Sequence, residues 1–243
     1  MEEGADRTNQ GGGQEQQGAA LERSSLLDLV RDGIRRQNES RVARIVLVGE
    51  LASSNDVPAF VNASGDVKAK VDGKLTGIAF VVNKAAFVVL IEGVWGHLVE
   101  YMRGLMAANT SGKFLGLTRV LTSVEDVERM FPIWDLRLKR VPKAEQADFS
   151  SDNLEQTAFE TVKLLLQLGQ ALSSLNKAKC AEFLDSQKRE VTGSVPTSEL
   201  LTFYAHHPRL FSMEEYLHIF YYKPVQIELD SDRVYPMEGA LEF

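Results

Sequence analysis

The sequence predicts an α+β fold, with a sheet in residues 43–141 and helices in residues 150–222. Two near-continuous apolar runs joined by Asn83 and Lys84 are typical of central strands that form a hairpin. Leucines between positions 154 and 175 recur alternately four and three residues apart, which is a heptad seam. Between these regions, apolar residues at helical spacing predict an amphipathic helix: Trp95, Leu98, Val99, Met102, Leu105 and Met106.

The composition of the N-terminal segment predicts little ordered structure before the first strand. Residues 1–20 contain five glycines and four glutamines, and such a segment buries too little apolar surface to offset its ordering entropy. We therefore expect a disordered tail there. Residues 21–40 follow as an N-terminal helical segment, with a helix from Leu21 to Arg36. One face of that helix carries an apolar stripe: Leu21, Leu26, Leu27, Val30 and Ile34.

Residues 43–141 alternate between strand and helix patterns. A β-branched run at 43–48 predicts the first strand, and a short helix is expected around 57–63. The hairpin strands span 75–82 and 86–92, and the amphipathic helix comes next. A fourth strand is expected at 113–121, a short helix from Ser123 to Met130, and an alternating edge strand at 135–139. The order β-α-β-β-α-β plus an extra strand is that of a ferredoxin-like sheet.

The C-terminal half predicts helices and then an extended tail. Asp152 with Glu155 forms a capping-box pattern for a helix running to about Leu184. Its leucine seam has to be buried, either on this chain's own sheet or against a partner helix. Further helices are expected at 199–204 and 213–221, and residues 223–243 are expected to be extended. The seam comprises Leu154, Ala158, Thr161, Leu165, Leu168, Leu172 and Leu175.

Composition excludes several classes of protein. The formal net charge of −7 and the pI near 5.3 argue against nucleic-acid binding. Cys180 is the single cysteine, which excludes a disulfide framework and a cysteine-based zinc site. No apolar run has the length of a membrane span, and the N-terminus does not resemble a secretory signal. We therefore expect a cytoplasmic protein.

Few residues suggest chemistry, and the expectation is a protein that is not an enzyme. No nucleotide-binding, nucleophile-elbow or zinc-protease motif occurs. Glu92, at the end of a buried strand, is expected to cap the following helix. Cys180 lies near two lysines, which could lower its thiol pKa, but without a histidine partner it is expected to be a spectator thiol. His206 and His207 are adjacent in an extended segment, so they are expected to point apart and hold no metal.

The hairpin and the segment after the fourth strand resemble BLUF domains, the blue-light sensors that bind a flavin. The matching residues are Leu-Thr-Gly at 75–77, Phe87 with Ile-Glu-Gly at 91–93, and Met-Phe-Pro-Ile-Trp-Asp-Leu at 130–136. The resemblance covers about residues 43–140 and implies a BLUF-type ferredoxin-like sheet. It also implies where the flavin-contacting tyrosine, asparagine and glutamine would lie, namely Val48, Lys70 and Val89. Because valine forms no side-chain hydrogen bond, the resemblance predicts the fold without the flavin photochemistry.

Two residues in a helix of the flavin region also argue against a bound flavin. The helix that helps to cradle the flavin in this family contains Pro58 and Gly65 here, and it is expected to be eroded. No cofactor is therefore expected. An alternative is a flavin- or nucleotide-binding sensor with a rearranged pocket.

The chain also resembles a testis-expressed, BLUF-like family of ciliated eukaryotes, on the segments Tyr-Lys-Pro-Val-Gln-Ile-Glu-Leu-Asp at 222–230 and Val-Tyr-Pro at 234–236. This resemblance implies a structural, cytoskeletal component of the axoneme in a motile cilium or flagellum. Its expected partners are other axonemal proteins, with no nucleic acid and no membrane. A soluble adaptor that forms a homodimer is the second alternative. The expected docking residues are the seam leucines and an aromatic set: Phe211, Tyr216, Phe220, Tyr222 and Tyr235.

Overall fold

The computed structural model describes residues 41–71, 75–142, 151–186 and 189–222 of the 243-residue chain. All of them belong to Asn38–Phe243, one of the two units into which the chain divides. The predicted tail at 1–20, the predicted helical segment at 21–40 and the predicted extended segment at 223–243 lie outside the described residues.

Five strands and seven α-helices follow one another in the described part of the chain. The strands are β1 Arg41–Leu51, β2 Thr76–Val82, β3 Ala86–Gly93, β4 Leu115–Glu128 and β5 Trp134–Lys139. The helices are α1 Val57–Lys70, α2 Trp95–Gly112, α3 Leu154–Ser173, α4 Lys177–Asp185, α5 Arg189–Thr192, α6 Ser198–His206 and α7 Met213–Leu217. Short 3₁₀ turns cover Ser54–Asp56 and Ser151–Asn153, and one π-helical turn covers His218–Tyr222.

The sheet has the strand order β4-β1-β3-β2-β5. β1 pairs antiparallel with β3 and β4, β3 pairs antiparallel with β2, and β5 pairs parallel with β2. The first four strands, connected by α1 and α2, have the ferredoxin-like order, and β5 extends the sheet beyond β2. The predicted α+β, ferredoxin-like fold is confirmed.

The β2–β3 hairpin has the tight turn that its sequence predicts. Asn83 and Lys84 have φ angles of 50° and 58°, which is a left-handed pair, and the Ala85 N–H closes the turn by donating to the Val82 carbonyl at 3.0 Å. At the other end of the hairpin, Gly77 has a φ of 141°. A Cβ atom there would lie 2.0 Å from the carbonyl oxygen of Leu90, so the tight pairing requires glycine.

The first face of the sheet is covered by α1 and α2. Ile45, Leu47, Val89 and their neighbours pack there beneath Phe60 of α1. The helix α1 is longer than the short helix expected at 57–63, and the expectation that it is eroded is wrong. Pro58 lies in the first helical turn, where a missing N–H breaks no helical hydrogen bond.

The second face is covered by the C-terminal helices. Leu154, Leu165, Leu168 and Leu172 are all buried in the cluster that also contains Val46 and Val48 of β1, and Leu175 packs against the same cluster. The seam is therefore buried on the chain's own sheet, and the expectation that its leucines are available for docking is wrong.

The predicted single helix from 152 to about 184 is two helices. α3 ends at Ser173, and the side chain of Asn176 then caps α4 by accepting a hydrogen bond from the Lys179 N–H at 2.9 Å. At the start of α3 the residue that precedes the helix is Asn153, without a side-chain capping bond, so the capping box predicted for Asp152 and Glu155 is wrong. The capping residue Asn176 lies just after the last of the regularly spaced leucines. The leucine spacing alone therefore does not show that one helix ends and another begins there.

The short helix predicted from Ser123 to Met130 is instead the second half of β4. β4 pairs with β1 as far as Arg41 opposite Glu128, and a bulge at Glu125 and Asp126 interrupts the ladder. Asp126 has a φ of 57°, which bends the strand. Pairing with the buried strand β1 thus overrides the local capping pattern at Ser123.

Candidate docking surface

Glu92 lies in a buried ion pair at the end of β3. Its Oε1 accepts a hydrogen bond from the Nε of Arg44 on the adjacent strand at 2.7 Å, and the Arg44 Nη2 lies 2.6 Å from the same oxygen. Its Oε2 accepts from the backbone N–H groups of Met130 and Phe131, each at 2.9 Å. The expectation that Glu92 caps the following helix is wrong, because both carboxylate oxygens are used by β1 and by the segment before β5.

This ion pair connects the sheet to the helices of the second face. The bonds from Glu92 fix the backbone of Phe131, whose ring lies against α3 where Gly169 leaves room for it. A Cβ atom at Gly169 would lie 2.6 Å from that ring. Sequence reasoning missed Arg44, although a charged residue inside an apolar strand signals a buried partner. The role of Glu92 is therefore structural.

The three positions that the BLUF resemblance assigns to flavin contacts do not come together. Val89 lies on the first face and is paired with Leu47, whereas Val48 is paired with Val88 on the second face. Lys70 is exposed at the end of α1. The assignment of Val48 and Val89 to one pocket is wrong, because a one-residue offset moves a side chain to the opposite face of a strand.

The two helices of the first face, α1 and α2, pack directly against each other. The hydroxyl groups of Ser64 in α1 and Tyr101 in α2 are hydrogen-bonded at 2.7 Å, and both residues are fully buried. One turn further along, a Cβ atom at Gly104 would lie 2.7 Å from a methyl carbon of Val67. Burial raises the pKa of Tyr101, partly offset by the bond to Ser64. The described side chains fill the space between α1 and α2 along these turns.

The other candidates for chemistry are also engaged in packing. Cys180 is buried in the second-face cluster, and burial raises the pKa of its thiol, so the two nearby lysines do not lower it. His206 and His207 point apart as predicted: His206 contacts Glu50 at 2.9 Å, and the Nδ1 of His207 accepts a hydrogen bond from the Arg209 N–H. Among the described residues, no group of three potential metal ligands occurs.

Exposed aromatic side chains concentrate after α6. We call the following set the aromatic surface: Phe211, Ile219, Phe220, Tyr221 and Tyr222, which are between 39% and 52% exposed. The ring of Phe220 lies 6.2 Å from that of Phe211 and 4.7 Å from that of Tyr216. The guanidinium carbon of Arg103 lies 5.9 Å from the ring centre of Tyr222.

The aromatic surface is fixed to the edge of β4. The Val120 N–H donates to the Phe211 carbonyl at 2.9 Å, and the Tyr216 hydroxyl donates to Ser123 at 2.6 Å. Arg119 adds a bond to the Leu210 carbonyl at 2.8 Å. Between these residues and β4 lies a cleft of about 500 Å³.

The start of α7 is equally well defined. Ser212 and Glu215 form the capping box that the sequence predicts, with reciprocal bonds of 3.1 and 2.8 Å. These bonds lower the pKa of Glu215. α7 itself ends at Leu217, short of the predicted 221, because the backbone continues as a π-helical turn.

The predicted docking residues thus fall into four groups. Phe211, Phe220 and Tyr222 are exposed on one surface. Tyr216 is buried and supports them. Tyr235 lies outside the described residues, and the seam leucines belong to the second-face core. None of the helices in the described ranges combines the length and apolar character needed to cross a membrane.

Comparison with known proteins gives one family and a set of structural neighbours. The family model described as testis-expressed protein 47 matches residues 42–222. Curated proteins give no match. This chain is similar to a dark-state BLUF protein, BlrB, with 18% identity and a TM-score of 0.35 over 65% of this chain and 99% of that chain.

Two other solved structures are similar over different lengths. The ground state of BlsA is 12% identical with a TM-score of 0.31, over 66% of this chain and 98% of that chain. A bacterial light-regulated adenylyl cyclase is 16% identical with a TM-score of 0.32, over 51% of this chain and 35% of that chain.

Proposed function

The chain belongs to the testis-expressed protein 47 family, and on that premise we propose that it is a non-enzymatic structural subunit of the axoneme in a motile cilium or flagellum. It docks there on other axonemal proteins, without nucleic acid or membrane. Its docking site is the aromatic surface, assisted by the tail that follows it.

The exposure of the aromatic surface is the single observation that carries this proposal. Phe211, Phe220 and Tyr222 are each between 44% and 52% exposed, whereas Tyr216 beneath them is 6% exposed. Aromatic side chains held by a buried support are the residue type that carries most of the energy in protein interfaces. The capping box and the bonds to β4 hold these rings in place before binding, which reduces the entropy lost on docking.

A role without catalysis or cofactor is supported by how the remaining candidates are used. The carboxylate of Glu92 is occupied by Arg44 and by two backbone N–H groups. The hydroxyl groups of Ser64 and Tyr101 are hydrogen-bonded to each other and join the two first-face helices. A subunit of this kind binds its neighbours through its surface, and its buried polar side chains stabilise the fold.

Fractionation of a tagged full-length copy in ciliated cells tests this proposal. Detergent removes membrane and soluble matrix, and the axonemes that remain are washed in rising salt. The proposal predicts retention through the washes, and cross-linking then identifies the neighbours. Release with the matrix, or absence from cilia, would contradict the axonemal role.

Two measurements on purified protein address the alternatives. A flavin absorption band in protein expressed with excess flavin would contradict the cofactor-free proposal and favour a sensor. A dimeric mass by light scattering at micromolar concentration would favour the adaptor that pairs with itself. We expect a monomer without a flavin band.

A further inference from the structure

The outer edge of β5 carries a concentration of positive charge in a chain whose net charge is −7. A cleft of about 530 Å³ lies between the end of β5 and the β2–β3 turn, and the described residues that line it include no carboxylate. The residues that line it are Val81, Asn83, Lys84, Leu138, Lys139 and Arg140. Lys84 and Arg140 are exposed, and neither forms an ion pair with any described residue. An acidic ligand is therefore the complementary partner by charge.

The positive charges are held in place by the hairpin turn. The side chain of Asn83 accepts a hydrogen bond from the Val141 N–H at 3.0 Å and donates to the Val141 carbonyl at 2.9 Å. These bonds fix the backbone of Val141, directly after Arg140. Lys139 donates to the Leu184 carbonyl, and burial lowers its pKa against the opposing effect of Asp185.

The backbone of β5 presents unpaired groups at the open edge of the sheet, on the side away from β2. Asn83 donates to the Lys139 carbonyl and Gly77 to the Ile133 carbonyl, so the odd-numbered residues of β5 bond to β2. The N–H and carbonyl groups of Leu136 and Leu138 consequently point outward. Asp135 accepts from the Leu136 N–H at 2.9 Å, whereas no described residue bonds to the Leu138 N–H.

We propose that this edge binds an extended acidic peptide of a partner protein, which adds a strand beside β5 at Leu138. The peptide's carboxylates lie near Lys84 and Arg140, and its apolar side chains cover Leu138, which is 54% exposed. Main-chain bonds give affinity and the alternating side chains give specificity, as in other cases of strand addition. The proposal is independent of the axonemal role and concerns a different edge from the aromatic surface.

A second copy of this chain fits the edge less well. An antiparallel pair of β5 edges centred on Leu138 would place Lys139 of each copy opposite Arg137 of the other, and like charges repel across a strand pair. Pairing of β5 with the β4 edge of another copy is obstructed, because Phe211 and Ser212 already occupy β4 at Arg119 and Val120.

The test is fluorescence anisotropy on the full chain with a labelled peptide of alternating valine and glutamate, about eight residues long as in a typical strand. We expect the double variant Lys84→Glu/Arg140→Glu to weaken binding about tenfold, since each reversal replaces attraction by repulsion. The matched control is Lys163→Glu/Lys179→Glu, which changes the net charge equally at exposed helix positions and should bind like wild type. Equal binding by wild type and the Lys84/Arg140 variant would overturn the proposal.

A second variant tests the main-chain contact. Leu138→Pro removes the outward N–H without removing a bond to β2, as proline is tolerated on such an edge. We expect about fivefold weaker binding, the effect of one lost hydrogen bond, with unchanged thermal unfolding. Unchanged affinity in this variant, or full competition by inorganic phosphate at equal concentration, would overturn strand addition in favour of a simple anion site.

The remaining controls concern the ligand. The same peptide with lysine in place of glutamate should not bind, and binding equal to the glutamate peptide would contradict recognition of acidic residues. The full-chain variant Glu228→Gln/Asp230→Asn/Asp232→Asn should bind the peptide as wild type does. A markedly higher affinity in that variant would show that the chain's own tail occupies the edge, and would overturn the partner assignment.

Discussion

The two faces of the sheet are covered by different parts of the chain but in a similar manner. On the first face, Tyr101 of α2 is hydrogen-bonded to Ser64 of α1 at 2.7 Å. On the second face, Tyr204 of α6 is hydrogen-bonded to Thr161 of α3 at 2.9 Å. Each face also has a glycine, Gly104 or Gly169, where a neighbouring side chain comes too close for a Cβ atom.

The helices that cover the two faces differ in whether their sequence suggests binding to a partner. α1 and α2 are part of the ferredoxin-like topology itself, whereas the leucine seam of α3 looks from sequence like a site for a partner helix. Because the seam covers the second face, both faces stabilise the fold. The two surfaces that we propose for partners lie at the sheet edges, with the aromatic surface beside β4 and the cleft lined by Lys84 and Arg140 beside β5.

The largest effect should come from the ion pair beneath the second-face helices. Glu92→Gln leaves the buried Arg44 guanidinium without its counter-charge, and we expect the free energy of unfolding to fall by roughly 3–5 kcal/mol. The control Asp126→Asn disrupts the exposed ion pair with Arg41 and should change the free energy of unfolding by about 0–1 kcal/mol. Denaturant titration measures both, and equal small losses would show that the buried pair does not anchor this region.

The seam itself is tested by Leu168→Ala. Leu168 is 2% exposed on the second face, so the truncation should reduce the free energy of unfolding by about 2–5 kcal/mol. Leu164, on the same helix but 40% exposed, is the matched control, and its replacement by alanine should cost less than about 1 kcal/mol. Similar small losses for both variants would indicate that the seam is not packed on the sheet.

Three glycine-to-alanine variants compare the close contacts of the two faces. Gly104→Ala and Gly169→Ala each force a Cβ atom against a packed side chain, and we expect losses of roughly 1–3 kcal/mol in thermal unfolding. Gly65 lies in α1 with open space around its Cβ position. Gly65→Ala should therefore stabilise the protein by about 0.5–1 kcal/mol. A loss at Gly65 as large as that at Gly169 would contradict the packing argument.

The two buried tyrosines should give the smallest effect at neutral pH. Tyr101→Phe and Tyr204→Phe each remove one hydrogen bond between side chains and should reduce the free energy of unfolding by about 1 kcal/mol. The two losses are expected to be similar, because each face relies on one such bond.

At alkaline pH, the wild type and Tyr204→Phe should differ in how much stability they lose. Burial raises the pKa of Tyr204 to about 12, with the bond to Thr161 acting in the opposite direction, from an ordinary value of about 10. The folded state favours the neutral phenol, so this contribution to stability is complete below about pH 10 and is lost as the pH rises through about 12. Tyr204→Phe should show a smaller loss of stability across that window, and an unchanged loss would contradict the burial of the hydroxyl.

Much of the fold could be predicted from local patterns. The β2–β3 hairpin, its Asn83–Lys84 turn, the capping box at Ser212 and the alternating strand β5 all depend on short-range signals, and each is confirmed. Errors arose where tertiary contacts decide the outcome. At Ser123 a capping pattern gave way to pairing with β1, and at Asn176 a cap divided a helix that the leucine periodicity runs through.

The candidate site was less accessible to sequence reasoning. Phe211, Phe220 and Tyr222 were identified by residue type, but whether they or the seam leucines face solvent depends on which helix covers the second face. The Arg44–Glu92 pair joins residues far apart in sequence through strand register, which no single segment encodes. The opposite faces of Val48 and Val89 depend on the same register, because β1 and β3 are buried on both faces and show no alternation of polar and apolar residues.

Retention of variants in washed axonemes tests the central claim most directly. Phe211→Ala/Phe220→Ala removes two exposed rings of the aromatic surface, and Phe159→Ala/Leu164→Ala removes two similarly exposed apolar side chains from α3. With each tagged full-length variant expressed at equal level, we predict that the first is released by salt washes that retain wild type, and that the second is retained. Equal retention of both variants would contradict docking through the aromatic surface.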